Sequence, residues 1–173
     1  MIYTVTFNPA LDYVIKVDNF QTGTINRVYQ ENIFFGGKGI NVSVVLKELG
    51  LTSVALGFTA RFTGEAIEKG VEAQGIATDF IRLPEGMSRI NVKMKSQNET
   101  EINGQGPDIS KEAIEQLFTK LDKLVEGDIL ILAVSIPNTL PEDIYEQIMA
   151  RLLDKGINIV VDATKDLLLN VLK

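Results

Sequence analysis

Phe35-Gly36-Gly37-Lys38-Gly39-Ile40-Asn41 joins two segments of different period, and the fold class follows from that change. Before it, residues 25–35 form a β-like run. After it, Val42, Val45, Leu46 and Leu49 recur at helical spacing, and Gly50 stands at the C′ position that favours a residue without a Cβ. A strand that runs through a glycine turn into a helix is the repeating joint of α/β architecture.

The same alternation extends outward. Residues 2–7 are β-branched and aromatic and predict a strand, which Asn8-Pro9 ends because proline brings no N–H. Residues 13–17 are a further β-like run, with Gly23 in the turn before residues 25–35. Downstream, short apolar strands are predicted at 54–59, 78–83, 129–134 and 157–161. Helices are predicted at 65–73, from Ser110 through Ile114, Leu117, Phe118, Leu121 and Val125, from Pro141 through Ile144, Ile148 and Leu152, and at 164–172. This order predicts an α/β fold with a mainly parallel sheet flanked by helices. Two runs break the rhythm by being polar, residues 13–35 and the pair 89–95 and 99–102. They predict a small separate antiparallel sheet, half exposed.

Composition narrows the function. The 173 residues fit one domain with a substantial core, and 45% hydrophobic with 23% charged residues is an ordinary globular balance. No apolar run approaches the roughly 18–20 residues that cross a bilayer, and the first residues lack the pattern of a signal peptide. A net charge of −6 disfavours nucleic acid as a partner, since phosphate backbones need a basic surface. The absence of cysteine and histidine removes disulfides, thiolate metal sites and the commonest neutral metal ligand. The expectation is a cytoplasmic protein with neither a nucleic-acid nor a membrane partner. Any general base must be a carboxylate, lysine or tyrosine.

The glycine turn fails two familiar tests. A Walker A loop needs glycine six residues before its lysine and Ser or Thr after it, and here those positions hold Asn32 and Gly39. A dinucleotide fingerprint starting at Gly37 needs a small third residue where Val42 stands. What remains is a turn whose glycines let the backbone approach a ligand, with Lys38 as a charge and Asn41 at a helix start that favours anions. It reads also as an ordinary tight turn into a helix. Asp12 follows Asn8-Pro9-Ala10-Leu11 in a loop at the C-terminal end of the first strand, the edge where open α/β sheets bind ligands. Its carboxylate suits sugar hydroxyls, and equally a simple turn. Arg89, Asn91 and Lys93 alternate and so share one strand face, which suits a phosphate ester or a merely solvated surface.

Asn8-Pro-Ala-Leu-Asp12, Gly36-Gly-Lys-Gly-Ile-Asn41-Val and Arg89-Ile-Asn91-Val-Lys93 together resemble the ribokinase-like, or PfkB, family of carbohydrate kinases. The resemblance is to the branch containing 1-phosphofructokinase and tagatose-6-phosphate kinase. It implies that Asp12 holds sugar hydroxyls. Gly36, Gly37, Lys38, Gly39 and Asn41 would line a sugar-phosphate pocket, with Arg89, Asn91 and Lys93 toward the phosphate. It implies transfer of the ATP γ-phosphoryl group to a ketohexose monophosphate, with ATP and Mg²⁺ as cofactors. The polar segments, approximately 12–35 and 87–104, would form a lid over the sugar and a homodimer contact.

The sequence also departs from the family pattern. Where relatives carry Ser-Gly-Ser-Leu-Pro-x-Gly, this chain has Ala133-Val134-Ser135-Ile136-Pro137-Asn138-Thr139, so Ser135 keeps its place while two glycines are lost. The family's Asn-x-x-Glu segment and its Gly-Ala-Gly-Asp turn, which carries the catalytic aspartate, do not occur in these residues. The expectation is one incomplete α/β domain, the N-terminal portion of the family fold, inactive as a kinase alone. No catalytic residue and no metal ligand is assigned. A truncated sugar-phosphate sensor and a ribose or nucleoside kinase are the competing readings.

Overall fold

The computed structural model describes residues 1–133, 140, 141 and 143–162. Ser135 and the helix expected over 164–172 lie outside the described residues. Ten strands and four helices follow in the order β1 (Ile2–Thr6), β2 (Ala10–Val17), β3 (Val28–Gly36), α1 (Lys38–Glu48), β4 (Ser53–Ala60), α2 (Arg61–Ala73), β5 (Ala77–Thr78), β6 (Ile81–Leu83), β7 (Arg89–Lys95), β8 (Glu99–Asn103), α3 (Lys111–Leu121), β9 (Ile129–Ala133), α4 (Ile144–Leu152) and β10 (Asn158–Asp162), counted among the described residues.

The main sheet has the order β10-β9-β1-β4-β5, with β6 beside the far end of β4, and every pairing in it is parallel. Period-two alternation sorts its residues between two layers. Val5, Phe7, Leu56, Phe58, Leu130 and Leu132 face α3 and α4 in the larger core. Ile40, Ala55, Ile67 and Val71 form the second core beneath α1 and α2, against which Leu11 and Phe35 pack. Phe7 anchors the first layer, its ring 6.4 Å from Phe58 and 5.9 Å from Tyr145. A buried hydroxyl chain ties α1 to the sheet: Thr4 Oγ1 lies 2.8 Å from Ser43 Oγ, and Ser53 Oγ donates to Ser43 Oγ at 3.0 Å. At the opposite edge, Asp128 accepts from the Met1 amine and the Val125 N–H, which hold its carboxyl below the usual range.

The two polar runs form a second sheet, ordered β3-β2-β7-β8. Each run pairs antiparallel within itself, while β2 and β7 join the runs in parallel.

Three expectations need correction. Asp12 lies in β2, because that strand starts at Ala10 and not at residue 13. The segment from Ile25 is extended only from Val28, and Ile25 itself is solvent-exposed. The inward face of α1 is Gly39, Ile40 and Ser43, while Val45 and Leu49 point to solvent. The glycine lets the helix sit close on β1, and the hydroxyl chain takes the place of an apolar stripe. Smaller shifts are that α2 begins at Arg61, that the strand expected over 78–83 is split into β5 and β6, that the helix expected from Pro141 starts at Ile144, and that β10 ends the sheet among the described residues with Val160 exposed.

Candidate functional site

The site is built where β1 ends and the chain passes into the second sheet. Asn8 leads into β2, which carries Asp12 two residues in from Ala10. β3 returns antiparallel so that Phe34 stands opposite Asp12 and Gly36 opposite Ala10, and the chain turns at Gly37 into α1. On the other flank, β7 sets Asn91 opposite Asp12 and Arg89 opposite Ala10. Asp12, the glycine turn and the Arg89–Lys93 segment, far apart in sequence, therefore meet at one place.

Asp12 is the centre of the polar network. Asn91 Nδ2 donates to its Oδ1 at 2.8 Å, and the Lys93 ammonium lies 3.2 Å from its Oδ2. An ideal Cβ on Gly36 would stand 3.1 Å from Oδ2, so the carboxylate leans over that glycine. Arg89 Nε donates to the Asn8 carbonyl at 3.1 Å. The expected face is thus real, but its first work is to orient a carboxylate. Two of its three side chains hold Asp12, and the third holds the β1–β2 connection.

Two buried acceptors near this network lack hydrogen-bond partners, Asn91 Oδ1 and Asn8 Oδ1. Asn91 is only 6% exposed. Its amide is oriented by Asp12, since a carboxylate demands the N–H₂ side and leaves the oxygen without a donor. Asn8 donates through Nδ2 to the Gln105 carbonyl at 2.7 Å, which pins the segment after β8 to the end of β1. An unsatisfied buried acceptor in a polar site is a place for a ligand hydroxyl or a water.

The glycine turn is shaped from below by Thr6. Gly37 is the N-cap of α1 at φ 133°, a conformation that suits glycine, and it has no side chain with which to cap. Thr6 replaces it, its Oγ1 accepting the Ile40 N–H at 3.0 Å. A Cβ at Gly37 would lie 2.3 Å from the Thr6 methyl, and one at Gly39 would lie 2.4 Å from the Val5 carbonyl oxygen. The turn is therefore in van der Waals contact with β1. The exposed Lys38 side chain and Asn41 in the first turn of α1 face outward.

Other features lie outside this cluster. Tyr13 sits on the opposite face of the second sheet and donates its hydroxyl to the Glu31 carboxylate; that bond, with burial second, raises its pKa. A cavity of about 420 Å³ between Leu83–Gly86 and Asp108–Ser110 contains none of the residues above, and its charged groups, Glu85 and Asp108, are anionic. The described residues hold no group of three or more His, Cys, Asp or Glu suited to a metal ion. Sequence reasoning missed Thr6 and Asn8. In the sequence Thr6 reads only as part of a strand, and Asn8 as its end and the first residue of a motif without a role of its own; their roles come from partners 34 and 97 residues away.

Residues 5–172 match the pfkB family of carbohydrate kinases. The chain belongs to that family. It is 45% identical to 1-phosphofructokinase of Bacillus subtilis over 169 residues, which is 98% of this chain and 55% of that protein. It is 36% identical to D-tagatose-1-phosphate kinase of Bacillus licheniformis, covering 99% of this chain and 56% of that one. A crystal structure provisionally assigned as a phosphofructokinase from Staphylococcus aureus superposes with a TM-score of 0.93 at 45% identity, over 99% of this chain and 56% of that chain. The pfkB chain described here thus spans a little over half the length of these relatives.

Proposed function

We propose that this chain supplies the acceptor-sugar side of an ATP-dependent sugar-phosphate kinase, with fructose 1-phosphate as the acceptor. The observation that carries the proposal is the Asp12 carboxylate, fixed by Asn91 and Lys93 in front of the Gly36–Gly39 turn. A carboxylate so held has lone pairs left for two hydroxyls of one sugar, each bond strengthened by the ionised acceptor. The start of α1, with Lys38 and Asn41 exposed on it, suits the phosphate ester already on the sugar. Arg89 adds a cation beside Asn8, and Ser135 is assigned to the same pocket by family resemblance alone.

In the proposed reaction a free sugar hydroxyl attacks the ATP γ-phosphorus. The bond to ADP breaks, the hydroxyl proton passes to a base, and fructose 1,6-bisphosphate forms. The residues here bind and orient the acceptor, which supplies the positioning part of the rate enhancement. Mg²⁺ would assist the transfer in the whole protein, and the described residues hold no group of three or more carboxylates to bind it. The family relationship supports ATP as donor. The second sheet serves as a lid over the sugar, spanning approximately 12–35 and 87–104, and its outer face joins two copies into a homodimer. The compartment is the cytoplasm.

The similarity to a 1-phosphofructokinase supports this acceptor, and the similarity to a tagatose-6-phosphate kinase supports tagatose 6-phosphate as the alternative. Isothermal titration of the chain with fructose 1-phosphate, without ATP, tests the reading. Saturable binding is expected, and Asp12→Asn should weaken it about tenfold or more, since charge-assisted hydrogen bonds contribute about 1.5–3 kcal/mol. Equal affinity in the variant would overturn the assignment. Tight binding by the chain alone would favour a sugar-phosphate sensor over an enzyme portion.

A further inference from the structure

We propose that Phe34 is a specificity-determining residue whose ring takes a C–H face of the acceptor sugar while Asp12 takes its hydroxyls; this rests on the sugar-phosphate reading above. Phe34 is directly opposite Asp12 across the β2–β3 ladder, so the two side chains rise from the same face of the second sheet, with Cβ atoms about 5 Å apart. That face is otherwise polar beyond the partly buried Val14. Register puts Asn32 and Gln30 along it on β3, and Asn91 and Lys93 across β2. Among these, Phe34 leaves 55% of its surface in solvent.

A single exposed apolar side chain needs no explanation in general. This one has three particulars. It flanks the carboxylate at the centre of the network. Its neighbour along the same face is Gly36, over which the Asp12 carboxylate leans, with Oδ2 3.1 Å from where a Cβ would stand, so no side chain of β3 comes between the ring and the glycine turn. Across Asp12 from the ring stands Asn91, whose Oδ1 is buried without a partner and therefore lacks a hydrogen-bond donor. The carboxylate is thus flanked by an apolar ring on one side and by an amide short of a donor on the other. A sugar ring matches that order, since its C–H groups form an apolar face and its hydroxyls project from the edge. Inorganic phosphate does not match, having no C–H face. Aromatic rings supply rigid contact area of this kind at small entropic cost.

Contact between protein copies is a poorer explanation of the exposed ring. The apolar residues that register groups together, Tyr13, Ile33, Val92 and Ile102, occupy the opposite face. Phe34 stands apart from them.

The test titrates the wild-type chain, Phe34→Ala and Phe34→Tyr with fructose 1-phosphate and with inorganic phosphate, following oligomeric state by light scattering. Phe34→Ala should weaken fructose 1-phosphate about tenfold and change phosphate affinity less than about twofold, and Phe34→Tyr should stay near wild type. Unchanged sugar-phosphate affinity in Phe34→Ala overturns the proposal. So does an equal loss for both ligands, or a loss that follows a change in oligomeric state. If the wild-type chain shows no saturable binding of fructose 1-phosphate, the underlying reading falls together with this one. Wild-type binding with a silent alanine variant overturns this one alone.

Discussion

Thr6 shows how much a site can depend on a side chain that faces away from it. The N-cap of α1 is a glycine, so the cap oxygen comes from β1, and it reaches the Ile40 N–H at a fully buried position. Thr6→Val keeps the shape and the methyl contact with Gly37 but leaves that N–H unpaired, at a cost of about 1–3 kcal/mol. Thr6→Ser keeps the oxygen and gives up one methyl, about 0.8 kcal/mol. Urea denaturation should rank stability as wild type, then serine, then valine. A valine variant as stable as the wild type would mean that the hydroxyl does not act as the cap. The motif residues themselves were legible in the sequence: Asp12, the glycines, Arg89, Asn91 and Lys93 do meet. Their division of labour was not. Alternation puts Arg89, Asn91 and Lys93 on one face, but whether that face meets a ligand or Asp12 depends on β2–β7 pairing across 79 residues.

At the scale of elements, legibility followed the kind of contact each element makes. The α3 helix was plain because its buried residues Ile114, Leu117, Phe118 and Leu121 form an apolar stripe behind a Ser110 cap, although it ends at Leu121 and Val125, expected on the same stripe, is exposed. The opposite case is α1, whose inner face is glycine, isoleucine and serine and whose apolar Val45 and Leu49 are outside. Hydroxyl contacts and close backbone approach leave no hydrophobic period to detect. The α2 helix adds a further case, because Gly70 sits in its interior where glycine is unfavourable. A Cβ there would come 2.1 Å from the Phe35 ring, with several ring atoms within 2.6 Å. The glycine therefore lets the base of the second sheet rest on the helix. Gly70→Ala would gain about 1 kcal/mol in helix propensity and lose about 1–3 kcal/mol to overpacking. The clash involves the ring edge and not a flexible chain end, so the loss should win. Chemical denaturation should show net destabilisation of about 1 kcal/mol. A stabilised Gly70→Ala would show that Phe35 moves aside freely.

For the whole molecule, the question is how two open surfaces are covered. One is the face of the second sheet opposite Asp12, beyond the base where Leu11 and Phe35 pack on the core; there register aligns Tyr13, Ile33, Val92 and Ile102 and leaves Ile33 and Ile102 at 54% and 65% exposure. The other is β10, which ends the main sheet among the described residues, with Val160 exposed. An apolar sheet face can bury side chains against a second copy, whereas an edge strand associates by backbone pairing. The proposed homodimer uses the first. A net charge of −6 opposes association, but physiological salt screens charges beyond about 8 Å, so close apolar contact outweighs it. In light scattering the wild-type chain should be dimeric at micromolar concentration. Ile33→Asp should give monomer with unchanged far-UV circular dichroism, because the residue is exposed within the protomer. Val160→Lys, which disturbs the edge of β10, should leave the dimer intact. Dissociation by Val160→Lys with Ile33→Asp still dimeric would move the interface to the main sheet, and a monomeric wild type would remove the dimer altogether.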